Sequence, residues 1–116
     1  MPITAMELIE THCKNVNVCD ASRAAERIGN EPELLLIDVR EPAEFGNAAA
    51  PSAINIPRGL LEFQIGERCA DGERPILLHC KSGGRAVLAA RTLAEMGYSN
   101  VEAVLADIED LLAALE

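Results

Sequence analysis

Residues 76–85 change from a short apolar run to a cysteine, two glycines and an arginine. An alanine-rich pattern follows them, in which Ala86, Ala89, Ala90 and Leu93 recur at the spacing of one helix face. A short continuous apolar run is typical of a buried parallel strand, and the change of pattern after it indicates a tight loop and the start of a helix. Gly83 and Gly84 allow the backbone to curl so that successive N–H groups converge on one point. The stretch therefore predicts an α/β fold with an anion-binding loop between a buried strand and a helix.

Cys80 stands at the mouth of this loop, where the predicted strand ends. Unpaired N–H groups at the start of the helix, the positive end of its dipole, and the side chains of Lys81 and Arg85 all favour a thiolate there. Such a thiolate is a nucleophile that works at neutral pH. The alternative is a buried structural cysteine followed by an ordinary turn, which gives no reason for Gly-Gly-Arg at this spacing. We therefore predict that Cys80 is the catalytic nucleophile.

The loop of residues 80–85 resembles the active-site loop of the rhodanese family of sulfurtransferases. Two earlier segments resemble the same family in the same order. Residues 37–45 resemble its Asp-Val-Arg segment, and residues 51–57 resemble its next strand. The three motifs lie within residues 34–97, more than half of the chain. The resemblance implies a rhodanese-like α/β fold, with a central, mostly parallel five-stranded sheet and helices on both faces.

Length and composition agree with one globular domain. A chain of 116 residues suffices for a two-sided α/β core, and a hydrophobic content of 49% argues against disorder. The formal net charge of −9 makes nucleic acids and anionic membranes poor partners. No apolar run approaches a membrane span of roughly 18 residues, and no basic stretch precedes an apolar core at the N-terminus. We expect a single rhodanese domain over residues 1–116.

The cysteines point to a reducing compartment. Cys13, Cys19, Cys69 and Cys80 show neither CxxC nor CxxH spacing, which argues against a zinc site and against a secreted disulfide framework. A cytoplasmic protein without a bound metal is the expectation. His12 has no second pair of ligands, and we interpret it as a surface residue.

An extra helix is predicted at the N-terminus. Thr4 and Glu7 form a capping-box pattern, which predicts a helix over about residues 4–14. The rhodanese resemblance does not require this helix, so packing on the domain surface is its simplest role and a dimer contact is the alternative. A second helix is predicted from Ala21 to about Ile28, with Asp20 as its N-cap, and residues 29–30, which tolerate a left-handed conformation, are expected to stop it.

Residues 34–37 form a continuous apolar run, the signature of a strand covered on both faces. The strand delivers Asp38 and Arg40 at its carboxyl end, where open α/β sheets place their sites. These two side chains either form an ion pair that ties the loop to the next helix or shape the catalytic pocket, and the two roles are compatible. Arg58, early in the helical stretch that begins at Pro57, either lies near the site or is solvated.

Two segments depart from the family pattern. Residues 48–50 are alanines where rhodaneses often carry Gly-His-Ile, and residues 106–107 are Ala-Asp where the family usually has Gly-Gly. Leu111 stands in the last helix, where the family has a tryptophan. Asp107 has a structural role as the N-cap of that helix, with Asp110 at the third position. We also hypothesise that its charge lies on the rim of the Cys80 pocket, a site built for anions.

His79 directly precedes Cys80, which suggests a Cys-His dyad. Adjacent side chains of a strand point to opposite faces, so His79 is expected to face away from the loop. We therefore expect a structural role for His79 and not that of a general base.

The resemblance implies a sulfurtransferase in which the Cys80 thiolate takes the sulfane sulfur of thiosulfate or a persulfide donor and passes it to cyanide or a thiol. Ser82 is expected to donate to the thiolate, and Arg85 to fix the loop and neutralise the donor's charge. The residues whose backbone N–H groups are expected to hold the terminal persulfide sulfur are Lys81, Ser82, Gly83, Gly84 and Arg85. No metal or organic cofactor is required, because the chemistry resides in one thiolate.

The expected partners are a small anionic sulfur donor and a thiol acceptor, either a small molecule or a thioredoxin-like protein. Two other functions stay open. A non-catalytic regulatory or sulfur-carrier module is favoured by the altered residues 106–107, although most catalytically dead relatives lose the loop cysteine. Cysteine phosphatases also use a Cys-to-Arg anion loop, but with five intervening residues. Four residues lie between Cys80 and Arg85, which makes a smaller loop suited to one sulfur atom.

Overall fold

A sheet of five strands forms the centre of the structure, a computed structural model that describes all 116 residues. The strands are Asn17–Cys19 (β1), Leu35–Asp38 (β2), Ile54–Asn55 (β3), Ile76–His79 (β4) and Val101–Val104 (β5). They lie in the order β1-β5-β4-β2-β3, and every neighbouring pair is parallel. The expected five-stranded α/β sheet is confirmed, and it is entirely parallel. All carboxyl ends therefore meet at one edge, where such sheets place their sites.

Six α-helices and one 3₁₀ turn connect the strands. The helices are Ala5–Cys13 (α1), Ala21–Asn30 (α2), Pro42–Asn47 (α3), Leu61–Arg68 (α4), Gly84–Glu95 (α5) and Ile108–Ala114 (α6), and the turn is Arg58–Leu60. One core cluster joins α4 and α5 to Ile37 and Leu78, and a second joins α2 and α6 to Leu36 and Leu77. Helices therefore cover both faces of the sheet, as expected. None of them is both long and apolar enough to cross a bilayer.

The packing face of α5 follows the predicted spacing. Ala86, Ala89, Ala90 and Leu93 are all buried. Three of these four side chains are single methyl groups, which lets the helix lie close to the sheet. Gly97 stands just past the helix end with a φ of 102°, a left-handed conformation that glycine adopts without steric strain.

The first helix begins with the capping box that the sequence predicts. The Thr4 hydroxyl accepts from the Glu7 N–H at 3.1 Å, and the Glu7 carboxylate accepts from the Thr4 N–H at 3.1 Å. These two bonds satisfy N–H groups that the first turn leaves without intrahelical partners. The helix spans Ala5–Cys13, within the predicted range.

The end of α2 differs from the prediction. The helix continues through Gly29 and Asn30, and neither residue has a positive φ. The helix therefore ends two residues beyond the predicted end near Ile28, and the left-handed stop predicted for residues 29–30 is wrong. The Arg27 guanidinium donates to both oxygens of Glu31 at 2.7 and 2.8 Å, one turn further along. This ion pair stabilises the last turn in the helical form.

Candidate active site

Cys80 lies directly beyond the carboxyl end of β4, the central strand, and packs in the core that contains α5. The residue is only 2% exposed. Its Sγ accepts hydrogen bonds from the backbone N–H groups of Gly83 at 3.1 Å and Ala86 at 3.4 Å. Both donors are fixed backbone groups at the start of α5, so they stabilise negative charge on the sulfur without rearrangement. The structure thus brings the predicted nucleophile and the helix N-terminus together.

Residues 80–85, which we call the Cys80 loop, carry further unused donors. The backbone N–H groups without an acceptor in the chain include those of Lys81, Ser82, Gly84 and Arg85. Such groups are available to an anion or to a second sulfur atom. The expected hydrogen bond from the Ser82 hydroxyl to Cys80 is absent, because Ser82 is exposed and the N–H of Gly83 binds the sulfur instead.

Gly83 is the point at which the Cys80 loop turns into α5. It has a φ of 114°, a conformation that L side chains rarely adopt. A Cβ atom at this position would lie 2.7 Å from Leu105 Cδ1 and 3.2 Å from Leu105 Cα. The backbone conformation and the close approach of Leu105 both require glycine here.

Arg85 forms a bidentate ion pair with Glu44 of α3. Its Nη1 and Nη2 donate to Glu44 Oε1 and Oε2 at 2.7 and 3.1 Å. The hydrogen bonds from Arg85 lower the pKa of Glu44 to about 2, and the same pair raises the pKa of Arg85. Arg85 therefore anchors the Cys80 loop to α3. Its charge is already balanced by a carboxylate, which leaves less of it for a donor anion.

Asp38 and Arg40 form the ion pair that the sequence suggests. Arg40 Nε donates to both carboxylate oxygens of Asp38 at 3.0 Å, and Nη2 donates to Oδ2 at 2.7 Å. The backbone N–H of Arg40 donates to the same carboxylate at 2.9 Å. Arg40 Nη2 also donates to the carbonyl of Ala48, so the all-alanine segment is held through its backbone. The pair thus connects the end of β2 to the segment after α3.

A cavity of about 240 Å³ lies beside the Cys80 loop, between α3 and α6. The residues that line it are Arg40, Glu44, Asn47, Ala48, Lys81, Ile108, Glu109 and Leu112. Arg40 is paired with Asp38, whereas Lys81 is exposed and has no carboxylate within ion-pair distance. Lys81 is therefore the cation of this cavity that is available to an anionic ligand. No group of three or more His, Cys, Asp and Glu side chains is arranged to hold a metal ion.

His79 faces away from Cys80, as expected. It lies opposite Asp38 across the β2–β4 ladder, with Nε2 3.9 Å from Asp38 Oδ2. The residue is 1% exposed, and neither ring nitrogen has a hydrogen-bond partner. Burial lowers the pKa of His79, and the smaller effect of the Asp38 carboxylate opposes it. The folded protein therefore favours the neutral imidazole, and no Cys80–His79 dyad is formed.

Arg58 is not part of this arrangement. Its guanidinium donates to Glu62 at 2.9 Å and to Thr92 Oγ1 at 2.8 Å. Thr92 lies eight residues beyond Gly84 in α5, or about 12 Å along the helix axis. Neither expected alternative describes Arg58, because it is neither beside the Cys80 loop nor simply solvated. It ties the 3₁₀ turn to the far half of α5.

Asp107 occupies the predicted N-cap position of α6, but its side chain makes no capping hydrogen bond. Its backbone carbonyl accepts from the N–H groups of Asp110 and Leu111, and the residue is exposed. The next residue, Ile108, donates its N–H to the carbonyl of Lys81 at 2.8 Å. Asp107 is therefore one residue from a direct contact with the Cys80 loop. Its place on the rim of the Cys80 pocket stays a prediction.

The family model of the rhodanese-like domain matches residues 20–111. The chain belongs to the rhodanese-like domain family. All three motif segments of this rhodanese-like chain lie inside the match, and α1 lies outside it.

Sulfurtransferases are among the relatives of this rhodanese-like chain. A sulfurtransferase of Allochromatium vinosum is 31% identical over 86 residues, which cover 74% of this chain and 78% of the relative. A thiosulfate:glutathione sulfurtransferase of Saccharomyces cerevisiae is 34% identical over 82 residues, or 61% of this chain and 59% of the relative. A role in the sulfurtransferase family is therefore supported by sequence as well as by fold.

Solved structures agree on the fold. A polysulfide-sulfur transferase homodimer from Wolinella succinogenes superposes with a TM-score of 0.77 at 25% identity, covering 92% of this chain and 80% of the other. A thiosulfate sulfurtransferase from Pseudomonas aeruginosa gives a TM-score of 0.81 at 20% identity, covering 95% of this chain and 21% of the other. The second likeness establishes the rhodanese fold alone.

Two residues that position the site received no role from the sequence. Glu44 holds Arg85, as described above. Asn55 of β3 donates through Nδ2 to the carbonyls of Asp38 and Arg40 at 3.0 and 2.9 Å. Both residues lie within the segments that resemble the family, and this resemblance is the sequence feature that could have identified them.

Proposed function

We propose that this protein is a sulfurtransferase in which Cys80 takes a sulfane sulfur from thiosulfate or a persulfide donor and passes it to cyanide or a thiol. The observation that carries the proposal is the pair of N–H···Sγ hydrogen bonds from Gly83 and Ala86. They hold the sulfur against a helix N-terminus, an environment that stabilises a thiolate and then a persulfide anion. The relatives named as sulfurtransferases support the same reaction class.

In the first half-reaction, the Cys80 thiolate attacks the outer, sulfane sulfur of thiosulfate. An S–S bond forms between Cys80 Sγ and that sulfur, while the S–S bond within thiosulfate breaks and sulfite leaves with its electron pair. Negative charge then rests on the terminal sulfur of the Cys80 persulfide. The donors available to this charge are the unused N–H groups of Lys81, Ser82, Gly84 and Arg85.

In the second half-reaction, the acceptor attacks the terminal sulfur of the persulfide. Cyanide carbon forms a C–S bond, the S–S bond to Cys80 breaks, and thiocyanate leaves while the Cys80 thiolate is restored. A thiolate acceptor reacts in the same way and leaves as its own persulfide. In each half-reaction a nucleophile donates an electron pair to a sulfane sulfur, and the bonding pair of the broken S–S bond leaves with the displaced group, so the single thiolate of Cys80 suffices for both.

Lys81 is the side chain suited to attract an anionic donor. It lines the cavity beside the Cys80 loop and is free of an ion pair, whereas the Arg85 guanidinium is bound by Glu44. A point-charge ammonium on a flexible stem attracts an anion without fixing its orientation. The backbone donors of the loop then provide the orientation.

The structure favours sulfur transfer over the two alternatives. A phosphatase needs the loop arginine for the phosphate oxygens, but Glu44 binds both terminal nitrogens of Arg85. A purely regulatory module, which carries no sulfur, has no need for a buried cysteine sulfur with two backbone donors, which Cys80 has.

Intact mass spectrometry after incubation with thiosulfate tests the proposal. We expect the protein to gain one sulfur atom and to lose it on addition of cyanide, with release of thiocyanate. Cys80→Ser should show neither change, because an alcohol stays protonated at neutral pH, whereas Cys13→Ser should behave as wild type. Hydrolysis of p-nitrophenyl phosphate without any gain of sulfur would identify a phosphatase instead. Absence of both activities would identify a non-catalytic module.

A further inference from the structure

The helix that precedes the family match packs on the Cys80 loop. α1 lies outside residues 20–111, and none of its residues is fully buried. Ile9 is half-buried and packs against the core cluster that contains Cys80. Its Cδ1 lies 2.8 Å from the place that a Cβ atom on Gly84 would take, and its Cγ1 lies 3.8 Å from it. Gly84 therefore provides the space that the Ile9 side chain fills.

The contact lies between the two hydrogen-bond donors to the nucleophile. Gly84 is the first residue of α5 and follows Gly83, whose N–H donates to Cys80 Sγ at 3.1 Å. Two residues later, the N–H of Ala86 donates to the same sulfur at 3.4 Å. A shift of the backbone at Gly84 would therefore move both donors relative to the sulfur.

Two glycines in succession give this turn no side chains of its own. A backbone without Cβ atoms is conformationally free, so its rigidity has to come from neighbouring elements. Leu105, after β5, covers Gly83, and Ile9 covers Gly84. Isoleucine suits this task, because its branched Cβ restricts rotation about χ1.

We propose that Ile9 is a positioning residue for Cys80. By packing on Gly84, it holds the start of α5 so that the N–H groups of Gly83 and Ala86 stay directed at Sγ. Ile9 acts through the backbone of the Cys80 loop and does not contact the sulfur donor. Its effect on turnover rests on the proposed sulfur transfer, whereas its effect on the loop does not. α1 thereby acquires a role that neither surface packing nor a dimer contact includes.

Ile9→Ala tests the proposal, with Met6→Ala as the matched control. Met6 lies on the same helix but is 73% exposed. In thiosulfate-to-cyanide transfer, Ile9→Ala should lower kcat and kcat/KM together by about tenfold, less than the loss of a whole oxyanion donor. KM should stay within about twofold, because the donors at the reacting sulfur are displaced while Lys81 is not. Met6→Ala should keep the wild-type constants.

Amide hydrogen exchange gives a measurement that does not depend on activity. In Ile9→Ala, the amides of Gly83 and Ala86 should exchange about tenfold faster than in wild type. The amide of Leu78 in β4 should be unchanged, which separates a local loosening from a general loss of stability. Met6→Ala should leave all three amides unaffected.

A second pair of variants moves one methyl group across the contact. Ile9→Val removes Cδ1, and Gly84→Ala adds a Cβ atom in the space that Cδ1 occupies. Gly84 does not have a positive φ, so alanine adopts its backbone conformation without strain. Each single variant should lower kcat. The double variant conserves the volume at the contact. Its kcat relative to wild type should therefore be higher than the product of the relative kcat values of the two single variants.

A kcat of Ile9→Ala within twofold of wild type, or unchanged exchange at Gly83 and Ala86, would overturn the proposal even if Tm falls. If Ile9→Ala does not fold, the double-mutant cycle of Ile9→Val and Gly84→Ala tests the proposal instead. Additive effects of these two substitutions on kcat would overturn it. If the wild-type protein transfers no sulfur, the proposed function fails. The exchange measurement then still decides the role of Ile9.

Discussion

Glu44 and Arg85 are 41 positions apart in sequence and share two hydrogen bonds, of 2.7 and 3.1 Å. Glu44 Oε1 also accepts from the backbone N–H of Glu41 at 2.9 Å, as part of the capping box of α3. One carboxylate therefore both starts a helix and holds the last residue of the Cys80 loop. The geometry of the Cys80 loop thus depends on α3, which lies in the connection between β2 and β3.

Arg85→Lys should impair turnover although it keeps the charge. An ammonium cannot reproduce the two parallel hydrogen bonds of the guanidinium to Glu44, so the end of the Cys80 loop loses its anchor. We expect a fall in kcat/KM for thiosulfate of about tenfold, equivalent to about 1.4 kcal/mol. Steady-state kinetics with cyanide as acceptor measures it. A wild-type value would show that the anchor has no part in catalysis.

Glu44→Gln should change the acid stability of the protein. The pKa of Glu44 is about 2 in the folded protein, below the value of about 4.3 for an unperturbed glutamate. The ion pair therefore adds stability above about pH 4.3, and this is lost as the pH falls towards 2. Urea unfolding between pH 5 and pH 3 should show a steeper loss for wild type than for Glu44→Gln. Parallel curves would contradict the lowered pKa.

Lys81→Gln should weaken the capture of thiosulfate. With the ammonium roughly 8 Å from the donor and an effective dielectric of about 40, the attraction is on the order of 1 kcal/mol per unit charge. At low salt, kcat/KM should fall about fivefold or more, mainly through KM, and the difference should shrink as salt rises. Lys14→Gln removes the other lysine of the chain and should have no effect. An equal loss in both variants would mean that only net charge matters.

Asp107→Gly should raise activity towards thiosulfate. Asp107 is exposed and makes no capping hydrogen bond, and glycine is a tolerable N-cap, so α6 should lose little stability. If the carboxylate lies near the pocket rim, its removal relieves repulsion of a dianion by on the order of 1 kcal/mol per unit charge. A several-fold higher kcat/KM is expected at low ionic strength, with a smaller gain at high salt. An unchanged rate would leave Asp107 with a structural role alone.

Acid should destabilise the fold through His79. Burial lowers its pKa below the ordinary value of about 6.5, so the unfolded chain binds the proton more readily than the folded one. Stability is therefore retained above about pH 6.5 and is lost as the pH falls through the lowered pKa, by up to about 1.4 kcal/mol per pH unit. Urea unfolding at pH 7.5 and 5.5 should show a smaller decrease for His79→Leu than for wild type. His12→Gln, which removes the only other histidine, should keep the wild-type decrease.

The fold was predictable because its local signals agree with one another. Apolar runs without alternation indicated strands covered on both faces, and β2 and β4 are buried at every position. The spacing from Ala86 to Leu93 predicted the buried face of α5, which the structure confirms. Such patterns depend on neighbours a few residues apart, so the sequence alone contains them.

Contacts between distant segments were not predictable in this way. The partner of Arg85 is one of 19 acidic residues, and no periodicity selects Glu44 among them. Residue type predicted the position of Asp107, but its side chain makes no capping bond, because a rotamer choice at an exposed site decides that contact. A half-buried Ile9 in an amphipathic helix likewise does not reveal which element it covers. These contacts arise from packing in three dimensions.

Because Leu105 lies against Gly83, substitutions are tolerated at some positions of the Cys80 loop and not at others. No side chain fits at Gly83, where Leu105 Cα would be 3.2 Å from a Cβ atom. Lys81 and Ser82, by contrast, are exposed, and their side chains have no hydrogen-bond or ion-pair partners to lose. A mutant library for new donor specificity therefore belongs at these two positions. There, shape and charge at the mouth of the loop can be changed while the backbone that supports the sulfur is kept.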